Sequence, residues 1–453
     1  MTALSHIRAP KPLNVSLPQH ESLVHMLLAA VDAQPSLPAV ICEKERITYA
    51  EFGRAVAGLA RRLEAAGAKR GERVILMMAN SIEMDVALFA AMATGAQVGP
   101  LNPFLTPSEL KKQLVDVQAC AVICDAITKD KAAAVAAEYG IRTNILLGSG
   151  GVTLDEWKRD PALALDRSRL PKADDLALLI FTGGSTGIPK GVNHTHRGLF
   201  LSCVQHVTVW PCKFGQERFL NVAPMFHIWG FGFSTLVPIY TQSTLVMVPR
   251  YDADKVVQGL SDHKITVFAG GPAPIYMGLL TSPLFAGADL KSLKYCPSGG
   301  APCPAELHRE WLEKTGQPLL EGWGMTEGAP FCLNTLDGKR KLLSVGNPVP
   351  GNELQVVDLE TGDRVLPLGE RGELRVRSPT LMTGYRNHPE ETARTLRDGW
   401  VHTGDIGYVD DEGFVFLVDR KKDMVIVGGF NVYPREVDEV LFKHPKIREA
   451  ATV

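Results

Sequence analysis

The chain has 453 residues, 45% of them hydrophobic, and sets 48 lysines and arginines against 50 aspartates and glutamates, for a formal charge of −2. That balance lacks the basic surplus of a phosphate-backbone binder, and the apolar content is too high for a disordered acidic chain, so nucleic acid is not expected as a partner. At roughly 100–200 residues per domain, the length allows two to four units with ample core.

The N-terminal segment carries Pro10, Pro12 and Pro18 and no continuous apolar run, which argues against a signal peptide. The most apolar long stretch, Val86 to Leu101, is broken by Thr94, Gly95, Gln97 and Gly99. It falls short of the ~20 apolar residues a membrane span needs, so no integral membrane segment is expected. Cysteines at 42, 120, 124, 203, 212, 296, 303 and 332 are too sparse for a disulfide scaffold and lack the paired CxxC spacing of a zinc site. Reduced thiols and a cytoplasmic setting are the expectation.

Amphipathic patterns predict helices over Tyr49 to Ala66, Met84 to Ala93 and Pro107 to Val117, and an alanine-rich surface helix from Lys131. Short aliphatic runs beginning at Arg73, Ala121, Asn144, Leu176, Thr244 and Ile265 predict buried strands between helical stretches. The alternation is that of an α/β protein with mainly parallel sheets. From Thr335 to Asp419 the texture changes to short alternating segments at Glu353, Gly372 and Gly413, divided by Gly, Pro and Asp turns. An appended β subdomain is expected over 335–419. After Arg420, a strand pair from Met424 leads to a helix opening at Pro434, with Glu436, Asp438 and Glu439 suited to its positive N-terminal end. The chain stops at Val453 as Glu449 to Val453 reads like an incoming strand. One hairpin and one helix cannot close a core unaided, so 422–453 is expected to be the incomplete start of a small domain.

The strongest local signal is an apolar strand from Leu178 running into Thr182, Gly183, Gly184, Ser185, Thr186, Gly187, Ile188, Pro189, Lys190 and Gly191. Glycines let backbone N–H groups converge on an anion, the hydroxyls donate further hydrogen bonds, and Lys190 supplies charge. This is a phosphate cradle in composition. Ile188 and Pro189 separate Gly187 from Lys190, so it is not a Walker A loop, and no GxGxxG marks a dinucleotide fold.

The loop resembles the phosphate-binding signature of the adenylate-forming superfamily, which includes acyl- and aryl-CoA synthetases, nonribosomal peptide adenylation domains and firefly luciferase. Further motifs follow in that family's order: Pro224-MFHIWG, Ser298-GGAP, Gly322-WGMTE, Val401-HTGD and Val418-DRKKDMVIVGGFNVYPREVDE. The last, with Pro434, Glu436 and Val437, is most like fatty- and aryl-acid CoA ligases. The resemblance implies a large N-terminal domain, 1–421, of two α/β subdomains and a β-barrel-like one. A hinge at Lys422 then leads into the small α+β C-terminal domain.

The implied activity is ATP-dependent conversion of a carboxylic acid to its acyl-adenylate with release of pyrophosphate, then transfer to coenzyme A. By position, Thr182, Gly183, Gly184, Ser185, Thr186, Gly187 and Lys190 meet the leaving phosphates, Thr326 the α-phosphate and Glu327 a Mg²⁺ ion. Gly322, Trp323, Gly324 and Met325 border the nucleotide, with Trp323 over adenine, and Gly299, Gly300, Ala301 and Pro302 form the opposite wall. Asp405 and Arg420 take the ribose. His227 orients the substrate carboxylate, which is already ionised and needs no base.

The implied acid pocket comprises His227, Trp229, Gly230, Gly300, Ala301, Gly324, Pro330 and Phe331. Acetyl-CoA synthetases carry a tryptophan where this chain has Gly324, which favours a medium-chain, branched or aromatic acid. Two alternatives stay open: loading of a carrier-protein thiol, and nucleotide binding without turnover. The second rests on the chain ending before the family's late C-terminal lysine, an ending expected to slow adenylation. A homodimer is compatible with the resemblance.

Overall fold

The computed structural model describes residues 4–115, 117–182, 189–301, 303–427, 430–442, 447, 450 and 452. Its central sheet has seven strands, of which five consecutive members run parallel: Thr143–Leu146, Ala121–Cys124, Arg73–Met77, Gln97–Pro100 and Leu176–Thr182. Lys190–Thr195 and Gly384–Tyr385 extend it in antiparallel sense. A second sheet joins Val267–Ala269, Arg218–Asn221, Thr244–Met247 and Pro38–Cys42 in parallel and ends in the hairpin to Glu45–Thr48. Buried aliphatic runs of four to seven residues with helical crossovers produce this α/β arrangement, because both sheet faces must be covered.

The stretch that came nearest to a membrane span divides into a helix and a strand of the core. Ser81 caps the helix Ile82–Ala93 by accepting from the Met84 N–H at 3.1 Å, and Gly95 turns the chain into Gln97–Pro100. Among the described residues no helix is long and apolar enough to cross a membrane. The helix from Pro107 ends at Leu114 rather than Val117. There Val117 N–H folds back onto the Leu114 carbonyl at 3.1 Å, and Gln118 takes a positive φ of 53° that no continuing helix allows.

An antiparallel sheet carries the later part of the chain. Its order is His6–Arg8, Glu353–Val357, Gly372–Arg377, Trp400–Val409 and Leu396–Arg397, with Val415–Arg420 also paired to Trp400–Val409. The N-terminal strand covers the free backbone edge of Glu353–Val357, a long-range pairing that no local pattern could announce. A short helix, Pro389–Thr395, interrupts this otherwise β region; with seven residues it is too brief to show a helical period. A smaller sheet, Cys296–Ser298, Leu319–Met325, Gly328–Leu333 and Asn347–Pro348, lies in sequence between the large sheets and supplies the walls of the site. Beyond Arg420 the hairpin Val425–Val427 and Phe430–Val432 precedes the helix Pro434–Phe442.

Candidate active site

Thr182 and Lys190 are paired across an antiparallel hairpin, so the glycine-rich segment is the connection between two strands of the central sheet. Gly183, Gly184, Ser185, Thr186 and Gly187, and likewise Pro302, lie outside the described residues. The strand pairing fixes where Lys190 emerges. Its ammonium is 3.0 Å from Glu391 and lies over the Tyr385 ring, 4.6 Å from the centroid. Tyr385 donates its hydroxyl to Glu327 Oε1 at 2.5 Å. Burial and the neighbouring carboxylates push the Tyr385 pKa upward, so this phenol stays a donor.

Thr326 and Glu327 form the turn between Leu319–Met325 and Gly328–Leu333, rather than the helix cap that an isolated Thr-Glu pair would ordinarily make. The Thr326 carbonyl accepts from His194 Nε2 at 2.7 Å, and burial lowers the His194 pKa to about 4, so the ring is neutral. Glu327 is 6% exposed, with one carboxylate oxygen bound to Tyr385. A carboxylate with a second oxygen to offer fits the hard-oxygen preference of Mg²⁺.

Two hollows meet just before this turn, along Gly322 to Gly324. The larger, a groove of about 600 Å³, has Ala301, Glu321, Asp405, Leu417 and Arg420 among its walls. The smaller, a cavity of about 70 Å³, is bounded by His227, Trp229, Phe233, Ser202, His206 and Pro330 among others. Gly300, Gly322, Trp323 and Gly324 border both. Glycine is required at this junction: Gly300 holds φ at +81°, and a Cβ on Gly299 would stand 2.8 Å from the Gly322 carbonyl oxygen.

On the groove side, Trp323 Nε1 donates to Asp405 Oδ2 at 2.8 Å, and Arg420 Nε lies 3.2 Å from Asp405 Oδ1. Burial raises the Asp405 pKa, opposed by Arg420 and by the indole N–H. Trp323 is only 7% exposed and packs edge-on against Phe331, 5.2 Å between centroids. Lys422 is exposed in the turn after Val415–Arg420, whereas Lys421 is tied to the antiparallel sheet through Glu373 at 3.0 Å. Met325, at the end of its strand, packs partly buried against the antiparallel core.

The cavity gathers His227, Trp229, Gly300, Gly324 and Pro330, but three expected members stand elsewhere. Phe331 is fully buried in the core behind Trp323, because alternate strand residues face opposite sides and Pro330 takes the cavity side. Gly230 is pressed against the backbone of the preceding loop, where a Cβ would lie 2.1 Å from the Pro224 carbonyl oxygen. Ala301 faces the groove. At the mouth, the Trp229 N–H donates to His227 Nδ1 at 3.2 Å, and crowding by surrounding atoms lowers the His227 pKa. The neutral ring therefore carries its proton on Nε2 and can donate to a carboxylate, which supports an orienting role.

Several site residues escaped sequence reasoning. Tyr385 and Glu391 stand 58 residues or more along the chain from Glu327 and Lys190, without a phosphate or metal motif to mark them. The cavity wall from Trp229 to Leu236 is a wide π-helical turn in which Thr235 Oγ1 donates to the Gly230 carbonyl at 3.0 Å, and Trp229 stacks on Phe233 at 5.0 Å. Ser202 and His206 come from the helix His196–Val209, capped by Thr195. Nearby, Cys303, His308 and Glu321 hold one donor atom each within 4.8 Å of one another. Glu321 accepts there from the Cys303 N–H at 3.3 Å, and one of its oxygens lies 3.2 Å from His308 Nε2, so the protein satisfies this carboxylate.

An AMP-binding enzyme family model matches residues 27–386. A long-chain-fatty-acid–CoA ligase of Bacillus subtilis is 33% identical over 97% of this chain and 83% of its own length. A feruloyl-CoA synthase of an Amycolatopsis species is 37% identical over 90% of this chain and 80% of its own. The ATP-bound crystal structure of MatB from Rhodopseudomonas palustris superimposes with a TM-score of 0.86 at 32% identity, covering 95% of this chain and 85% of that one. With a family model spanning most of its length and relatives above 30% identity over nearly all of it, the chain belongs to the AMP-binding enzyme family, in its acyl-CoA synthetase branch.

Proposed function

We infer that this acid–CoA ligase takes a ring-bearing or medium-length carboxylic acid in the cavity and ATP in the groove. The observation that carries this reading is the shared border: Gly300, Gly322, Trp323 and Gly324 belong to both hollows, so a carboxylate at the mouth of one meets a nucleotide in the other. Gly324, where acetyl-CoA synthetases carry a tryptophan, leaves the border of this cavity open to an acid larger than acetate. Similarity to a feruloyl-CoA synthase supports an aromatic acid.

In the first step a carboxylate oxygen attacks the α-phosphorus while the bond to the β-phosphate breaks and pyrophosphate leaves. Lys190 and the loop from Thr182 would neutralise the leaving charge, and Thr326 would contact the α-phosphate. Glu327 would hold Mg²⁺, which supplies Lewis-acid charge stabilisation. His227 Nε2–H would orient the attacking carboxylate. Asp405 and Arg420 would hold the ribose, with Trp323 on the adenine side. In the second step the coenzyme A thiol attacks the acyl carbon and AMP departs. Eight cysteines too sparse for a disulfide scaffold support a cytoplasmic setting.

The test is a panel of aliphatic acids from two to sixteen carbons and of aryl acids, read as pyrophosphate release and as thioester formation with and without coenzyme A. Thioester from C6–C12 or aryl acids, with little from acetate, is the expected result. A preference for acetate, or thioester only with a carrier protein, would overturn the reading.

A further inference from the structure

Most of the cavity wall is apolar, formed by side chains such as Leu199, Ile228, Phe233, Pro330 and Leu333. Two polar side chains on one helix interrupt it, on a wall that the nucleotide groove does not share. Ser202 and His206 stand four residues apart on His196–Val209, which places them one above the other on the same face. Both are nearly buried, at 5% and 4% exposure.

Their chemistry is fixed by what each has already bonded. His206 Nδ1 lies 2.8 Å from the Ser202 carbonyl oxygen, and a carbonyl only accepts, so Nδ1 carries the proton. Desolvation lowers the His206 pKa to about 4, so the ring is neutral at pH 7 and Nε2 presents a lone pair. Neither that lone pair nor the Ser202 hydroxyl has a protein hydrogen-bond partner among the described residues. The imidazole is held by Phe233 at 4.9 Å and Trp210 at 5.7 Å between centroids, so it cannot turn freely to find another partner. An acceptor and a donor–acceptor left unpaired in an apolar cavity carry a desolvation cost that a matching ligand group would remove.

We propose that Ser202 and His206 form a hydroxyl-reading pair that selects aryl acids carrying a ring hydroxyl: the phenol donates to His206 Nε2 and accepts from the Ser202 hydroxyl. A phenolic O–H offers one donor and acceptor lone pairs, which matches this pair where an alkyl chain end or an unsubstituted ring leaves both groups unpaired. The assignment rests on the acid-activation reading and names the substrate class for the same cavity. The two residues are specificity-determining, apart from the phosphate chemistry.

The experiment compares 3-phenylpropenoic acid with its 3-hydroxy and 4-hydroxy forms, alongside octanoate, using the full chain. Affinity is measured by calorimetry in the presence of AMP, and turnover as kcat/KM for pyrophosphate release. A preference of about ten-fold or more for one hydroxylated form is expected, because a site built around a hydroxyl discriminates against the analogue lacking it. Ser202→Ala and His206→Phe should each reduce the ratio of hydroxylated to unsubstituted acid several-fold, and His206→Gln, which keeps an acceptor, should retain more of it. Should His206→Phe melt early, Ser202→Ala, a loss of one oxygen, carries the test. Equal affinity of the wild type for all three aryl acids, or a ratio untouched by Ser202→Ala, would overturn the pair while leaving acid activation in place. If no acid of either kind binds or releases pyrophosphate, the acid-activation reading fails, and this assignment with it.

Discussion

The groove and the cavity meet at four residues yet are built on opposite chemistry. Outside the cavity, charged and polar groups hold one another: Lys190 on Glu391, Arg394 on the same Glu391 at 2.9 Å, Tyr385 on Glu327, and, in the groove, Arg420 on Asp405. The cavity wall is mostly apolar with a few neutral polar atoms. Charge stabilisation is the same task whatever acid is activated, so the groove can be made of fixed ionic parts, whereas substrate choice depends on shape and on single hydrogen bonds. Substitutions on the groove side should therefore affect every acid alike, and those on the cavity side should reorder acids.

The largest expected effect lies on the groove side. Lys190→Ala and Glu327→Ala should each lower pyrophosphate release by about 10²–10³-fold, the usual consequence of removing one preorganised charge group. The loss should be uniform across the acid panel and the thermal melt unchanged. A loss confined to some acids would erase the contrast between the two hollows.

Gly324→Trp tests the junction from the cavity side. A Cβ at 324 would already stand 3.0 Å from the Ala329 Cβ, so the indole must find room at the cavity mouth, and packed walls yield poorly. The kcat/KM for aryl and medium-chain acids should fall by about 10–100-fold relative to acetate or propionate, a loss on the scale of an overpacked site. AMP affinity, measured by calorimetry, should stay within about two-fold, because the added ring leaves the Asp405–Arg420 side untouched. An unaltered acid profile would show that Gly324 does not govern access.

The same contrast explains how much could be read beforehand. The stretches proposed to handle the nucleotide stand out in sequence because each is contiguous and of characteristic residue types: glycines and Lys190 after a buried strand, Thr326-Glu327 after Gly322, and Asp405 after Gly404, of which Asp405 lines the groove. The parallel strands were legible too, since runs such as Ala121–Cys124 are buried on both faces. The cavity wall was not. Ser202 and His206 sit on a helix buried nearly all round, so no amphipathic face distinguished cavity from core. Phe331 and Pro330 are neighbours that face opposite ways, and only the strand register decides which one a substrate meets. Tyr385 became a site residue through pairing of Gly384–Tyr385 with Val192 and Asn193, strands far apart in the chain.

Asp405→Ala separates nucleotide affinity from catalysis within the groove. In the proposed function the ionised carboxylate accepts from the ribose hydroxyls, and charge-assisted hydrogen bonds contribute roughly 1.5–3 kcal/mol, so AMP should bind about 10–100-fold more weakly. Because burial raises the Asp405 pKa, the binding form is ionised at neutral pH and becomes protonated as pH falls toward that raised value. Wild-type AMP affinity should decline on acidification, beginning above the range of an ordinary aspartate, and the Ala variant should lack this component. Calorimetry from pH 7.5 to 5 reads both. Parallel pH profiles in the two proteins would assign the titration to another group.

The smallest expected effect comes from Glu391, which pairs with Lys190 and, in the proposed function, competes with ATP for it. The pair is partly accessible, with side-chain exposures of 11% and 30%, and such ion pairs contribute about 0–1 kcal/mol. For Lys190 to meet a phosphate its ammonium must leave or share that carboxylate, so part of the phosphate attraction is spent on breaking the pair. Glu391→Gln keeps the side-chain length and removes the negative charge. ATP should then bind about 2–5-fold more tightly at low salt, the ceiling set by so weak a pair, with the gain shrinking as salt screens both interactions. The KM for the acid should not move, because Glu391 is absent from the cavity wall. Weaker ATP binding in the variant would mean that Glu391 holds Lys190 in its productive position rather than competing for it. In that case the charges of the groove are a preorganised frame, and the ion pair persists in the ATP complex.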